Sequence, residues 1–187
     1  GEYGFLAMLG HPSKEVKDAG NAKIVEELAD LIRKAKPKYL YTHNLADKHE
    51  THVATALKVI AALRMLSPEE RPEKVYGCEV WRDLDWVNDD EKVYLDCGAH
   101  PNLMRCLSAV FDSQIAGGKR YDLAAEGRRL ANATFSASHA CDTYSALNYA
   151  MDLTPLLDKK VDIADYIAGF IDRFKVSVKE NIDKFFE

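Results

Sequence analysis

Four cysteines, Cys78, Cys97, Cys106 and Cys141, stand too far apart to form a Cys-x-x-Cys pair. This spacing excludes a zinc-ribbon pattern and a dense disulfide framework, and it favours free thiols in a reducing cytoplasm. No Gly-x-Gly-x-x-Gly follows any predicted strand, so the phosphate-binding turn of a dinucleotide-dependent oxidoreductase is missing. No apolar stretch approaches the ~20 residues needed to cross a bilayer, and no charged-then-apolar signal peptide opens the sequence. A cytoplasmic protein with no membrane partner is therefore expected. Lys/Arg-rich runs beside clustered aromatics are also absent and the formal charge is −5, which argues against a nucleic-acid partner.

What is present is the composition of a globular chain, 47% hydrophobic and 29% charged over 187 residues. That length suits one α/β domain with a single sizeable core, taken as residues 1–187. Whether the chain forms a homo-oligomer is left open by the sequence.

The apolar run Phe5 to Leu9, closed by Gly10 and Pro12, predicts a buried strand. From Asn21, a good N-cap, Ile24, Val25, Leu28, Leu31, Ile32 and Ala35 follow helical spacing up to the stop at Pro37. Tyr39 to Thr42 has strand character. After a polar stretch, Val53, Ala56, Leu57, Ile60 and Leu63 mark a second helix, with Thr51 a candidate cap. Strands over Val75 to Val80 and Val93 to Asp96, and helices over Leu103 to Phe111 and Leu123 to Phe135, come next. A last helix starts at Asp162, with Ile163, Ile167, Phe170, Ile171, Phe174, Val178 and Ile182 on one face. The alternation predicts an α/β fold, a Rossmann-like, mostly parallel sheet with helices on both faces.

The polar stretch between the Tyr39 strand and the next helix sits where open α/β sheets place ligands. Thr42 to His52 holds three histidines (His43, His49, His52) and two carboxylates (Asp47, Glu50) in eleven residues. Imidazole is a good ligand for zinc, and a catalytic zinc keeps about three protein ligands plus an open position for water. His49 and His52 are three apart, so one helical turn brings both rings to one side of a pocket, one for metal and one for substrate. The competing reading is a solvated loop whose histidines cap the helix.

The segment Thr42-His43-Asn44-x-x-Asp47-x-His49-x-x-His52-Val53, between a strand and an amphipathic helix, resembles the second motif of the PIG-L/LmbE-like N-acetylglucosaminyl deacetylases. The resemblance continues through Tyr76 to Trp81, Asp112 to Ile115 and Ala150 to Leu156. It implies zinc-dependent (Zn2+) hydrolysis of an N-acyl group from an amino sugar or similar small molecule. His52 would ligate the metal, His49 would stabilise the oxyanion and protonate the leaving amine, and Asp47 and Asn44 would line the pocket, Asp47 as a catalytic and Asn44 as a substrate-binding residue.

Two departures from the family pattern stand out. The family tetrad His-Pro-Asp-His reads His49-Glu50-Thr51-His52 here, so Asp47 or Glu50 would have to raise the pKa of His49. The first motif, His-Pro-Asp-Asp, which supplies two more ligands and the general base, has no counterpart. Gly10-His11-Pro12-Ser13-Lys14 copies only its His-Pro, and a lysine ammonium has no lone pair for a dication. The expectation is an amino-terminally truncated domain whose zinc site is incomplete in this chain, and a catalytically inactive, metal-free α/β module that binds a sugar or a protein is the alternative. Trp81 and Trp86 are read as packing residues, His100 as a helix-entry residue, and His139 with Cys141 as no nucleophile pair.

Overall fold

A computed structural model describes residues 3–186. The larger of two compact units runs from His11 to Val93 and resumes at Ala150. It holds helices α1 (Ser13–Lys17) and α2 (Ala22–Ala35), strand β1 (Tyr39–His43), helix α3 (Glu50–Met65) and strand β2 (Lys74–Cys78). The apolar spacing of α2 buries Ile24, Ala29 and Ile32. The helix stops at Lys36, left-handed at φ 46°, because the ring of Pro37 disfavours a right-handed helical residue before it.

β1 and β2 pair in parallel, Tyr39 opposite Lys74 and His43 opposite Cys78. The second half of β4 (Leu147–Asp152) runs antiparallel to β2, with Tyr76 opposite Asp152 and Cys78 opposite Ala150. With β3 (Val93–Asp96) the sheet order is β1-β2-β4-β3. The chain is therefore mixed α/β, with a sheet that contains both kinds of junction. α3 packs against α1, α2 and β1, and Ile60, Leu63, Val75, Leu153 and Leu156 are fully buried. The last helix, α7 (Ile163–Phe186), starts where Asp162 accepts the N–H of Asp165 at 2.9 Å.

The second unit comprises Tyr94–Tyr149 with residues 3–10. It carries α4 (Pro101–Ala109), α5 (Asp112–Ala116) and α6 (Tyr121–Phe135). Beside the first half of β4, the Cys97 N–H donates to the Ala146 carbonyl at 2.9 Å. The Tyr149 hydroxyl ties β4 to α6 through the Asn132 carbonyl, 3.2 Å away.

Several expectations are corrected. Phe5 to Leu9 is not a strand and is exposed, Leu6 and Met8 by 82% and 86%; with no neighbouring strand, its backbone groups have no ladder to join. The cap position of α3 is His49, not Thr51, whose hydroxyl instead meets Ser13 Oγ at 2.7 Å. β2 ends at Cys78 rather than Val80, because the Glu79 carboxylate takes the Arg82 N–H and turns the chain. β4 escapes a sequence reading because it is buried on both faces and shows no alternation. Among the described residues no helix is long and apolar enough to cross a membrane, and none of the four cysteines forms a disulfide.

Lys58 on α3 is 6% exposed. Its ammonium donates to the carbonyls of Asp18, Ala19 and Asn21 at 2.7, 3.4 and 2.9 Å, fastening the turn before α2. Lys58→Met keeps the apolar stem but strands these acceptors, and is expected to cost about 2 kcal/mol. Urea unfolding followed by circular dichroism measures the loss.

Candidate metal centre

The hydrogen bonding of β1 runs one step past its end, the Asn44 N–H donating to the Cys78 carbonyl at 3.0 Å. The Asn44 side chain is fully buried. Its amide nitrogen donates to the Gly77 carbonyl at 3.4 Å, and its oxygen accepts the Ala46 N–H at 2.8 Å. Asp47 makes the next local turn, with Oδ1 accepting the His49 N–H at 2.8 Å. These side chain to backbone bonds, typical of Asn and Asp in turns, reverse the chain and start α3 at Glu50.

His49 occupies the N-cap position of α3, yet its side chain makes no capping hydrogen bond. Its ring is exposed. His52 lies in the first turn, where its Nδ1 pairs with Asp47 Oδ2 at 2.9 Å. The Asp47 side chain is only 2% exposed. Its carboxylate therefore favours the proton on His52 Nδ1 and leaves the lone pair on Nε2, an arrangement seen in metal-ligating histidines.

His43, the last residue of β1, stacks on His52 with centroids 4.0 Å apart and 5° between planes. Burial pushes its pKa below the usual histidine value, His52 adds to that, and Asp47 opposes it. A neutral imidazole retains a lone pair for a cation. One ligand atom each from His43, Asp47 and His52 all lie within 4.8 Å of one another. Two imidazoles and a carboxylate suit zinc and other borderline divalent ions. Among the described residues this is the one His/Cys/Asp/Glu group so placed.

His49 lies beside this group, its ring 5.1 Å from that of His52 and 4.5 Å from Trp81, which it meets edge-on at 69°. The Lys48 ammonium stands 5.9 Å over the Trp81 ring. Glu79 anchors this side of the loop. It is 5% exposed, and both of its oxygens accept the Arg82 N–H, at 2.9 and 2.8 Å. Burial pushes its carboxyl pKa up, backbone N–H groups pull it down, and the charge of Asp47 adds to the rise.

His49 and His52, predicted to share a pocket, are thus brought together at the carboxyl end of β1. Asp47 joins them, but through the His52 ring and the His49 backbone. Glu50 is 86% exposed and pairs with Lys17 at 3.4 Å, so neither carboxylate expected to tune the His49 ring is bonded to it. Asn44 is spent on backbone groups and acts by shaping the loop. His43 is the residue that sequence reasoning counted without giving it a role. Its signal was its place directly after the predicted strand Tyr39 to Thr42, but only the fold-back of the loop brings it to His52. His11 is placed elsewhere, bonded to Glu15 at 3.0 Å and Glu27 at 2.6 Å. It clasps α1 to α2, and both partners, Glu27 first, raise its pKa.

Because His43 has a depressed pKa in the fold, the unfolded chain takes up that proton first as pH falls. The stability this neutral ring contributes is intact above the ordinary value of about 6.5 and is lost as pH drops below it. In chelator-treated protein, His43→Asn is expected to lose less stability than the parent between about pH 7 and about pH 5. Denaturant titrations of both at each pH check this, and His11, common to both, cancels.

Compared with protein-family models and with curated proteins, the chain matches none.

Proposed function

We propose that this chain carries part of the active site of a zinc-dependent deacetylase that removes an N-acyl group from an amino sugar or a related small molecule. The observation that supports this most is the donor set His43, Asp47 and His52 at the carboxyl end of β1, with the exposed His49 beside it. The position agrees with a Rossmann-like reading of the α/β scaffold, in which ligands bind at that edge.

In this reading His43 and His52 hold zinc through their imidazoles, and Asp47 either joins them or orients His52. When bound, zinc supplies Lewis acidity to the amide carbonyl and lowers the pKa of water. His49 reaches the carbonyl oxygen as negative charge develops there and, when protonated, passes a proton to the departing nitrogen. The edge of Trp81 limits the swing of the His49 ring. Asn44 acts from behind, holding the loop that carries Asp47 and His49. The water-activating carboxylate is the role left unassigned, since the His-Pro-Asp-Asp motif of the resembling family is not found in these residues.

In the intact protein, with its water-activating carboxylate, His52→Ala is expected to lose metal and activity together. His49→Ala should keep its metal and lose roughly 2.7–4 kcal/mol of transition-state stabilisation, as for removal of one oxyanion donor. Zinc content by elemental analysis, with kcat/KM on an N-acetylglucosaminide, separates the two roles. An intact protein that takes up no zinc under any condition would instead favour the metal-free binding module.

A further inference from the structure

α7 is attached to its own unit by its first turns only. Ile167 and Phe170 are buried, the Tyr166 hydroxyl donates to the Asp152 carbonyl at 2.7 Å, and Arg173 binds Glu91. Beyond these turns the apolar side chains face solvent, with Ile171 49%, Phe174 36%, Val178 40%, Ile182 58% and Phe185 81% exposed. Steps of three and four residues align these five along one stripe of the helix. A helical stretch of this length with its apolar face in water is marginal on its own, since helices in proteins owe most of their stability to packing of that face.

The stripe is self-complementary in one direction. When two copies are laid antiparallel with Val178 at the twofold axis, Ile171 meets Phe185, Phe174 meets Ile182, and Val178 meets its own copy. The flanking charges then oppose in sign, Asp172 beside Lys184 and Arg173 beside Asp183. A parallel pairing would instead set Lys175, Lys179 and Lys184 against their own copies, and like charges across an interface act against that partner. We propose that the exposed face of α7 is an interaction surface for a second copy of this chain, and that two α7 helices pair antiparallel about Val178. This surface is separate from the histidine cluster, so the inference does not depend on the proposed activity.

Sedimentation equilibrium of the whole chain at micromolar concentrations tests it, with a dimer expected. Val178→Glu places two carboxylates face to face on the axis and should weaken the dimer by about tenfold or more. Val178 is solvent-exposed, so an unchanged thermal transition would show that the fold survives. Lys184→Asp should weaken association, and adding Asp172→Lys should restore it, a rescue expected only for antiparallel pairing. Under mild oxidation Val178→Cys should form a covalent dimer faster than the parent, whose own four thiols set the background. A monomer at all concentrations, a dimer indifferent to Val178→Glu, or failure of the charge swap to rescue would overturn the proposal.

Discussion

The candidate site depends on one buried amide. Asn44 has no exposure to solvent, and in that environment its polar ends must be satisfied within the protein. It meets this demand by donating to the Gly77 carbonyl and accepting from Ala46 N–H, which locks the end of β1 to β2 and bends the following chain. Glycine at position 77 makes the approach feasible. A Cβ there would come within 2.7 Å of Leu153 Cδ1 and 3.4 Å of Asn44 Cα, so any side chain would push the loop or the core apart. Everything downstream, including the placement of Asp47 and the start of α3, inherits this geometry.

The electrostatics of the site follow from that bend. Bringing His43 onto His52 in a face-to-face stack disfavours two positive charges, and burial disfavours even one on His43. Asp47 compensates on the His52 side, where it is itself shielded from water and its attraction is little screened. The cluster is therefore balanced toward one carboxylate, one oriented ring and one neutral ring, a set of lone pairs that could hold a cation. Glu79, held by the Arg82 N–H, is itself buried, and the charge of Asp47 adds to burial in raising its carboxyl pKa.

Elsewhere the framework uses cations in place of caps. Arg64 donates to the carbonyls of Leu156, Asp158 and Val161, at 2.7, 3.1 and 2.8 Å. Arg71 donates to Leu63 and Leu66 at the end of α3, both at 3.1 Å. Together with Lys58, these side chains satisfy backbone acceptors in loops that have no ladder of their own. They anchor α3 at its middle and at its carboxyl end, and α3 carries His52.

The local elements of this protein were legible in its sequence because they rest on short-range periodicity. The apolar spacing of Ile24 to Ile32 and the stop at Pro37 define α2, and Val93 to Asp96 is the strand it was read to be. The pairing of His49 with His52 was legible for the same reason, as both lie within one helical turn. Tertiary structure alone decided the rest. Phe5 to Leu9 has the residues of a strand but pairs with none of the sheet's strands, and strand formation is a property of pairs. β4 is a strand because β2 lies beside it, although its own pattern does not say so. His43 reaches His52 only because a buried asparagine and a glycine close the loop between them, and Asp47 serves His52 rather than the His49 ring because that closure points it there. Spacing along the chain determines which residues are available, while the direction of each side chain is set by contacts that spacing does not contain.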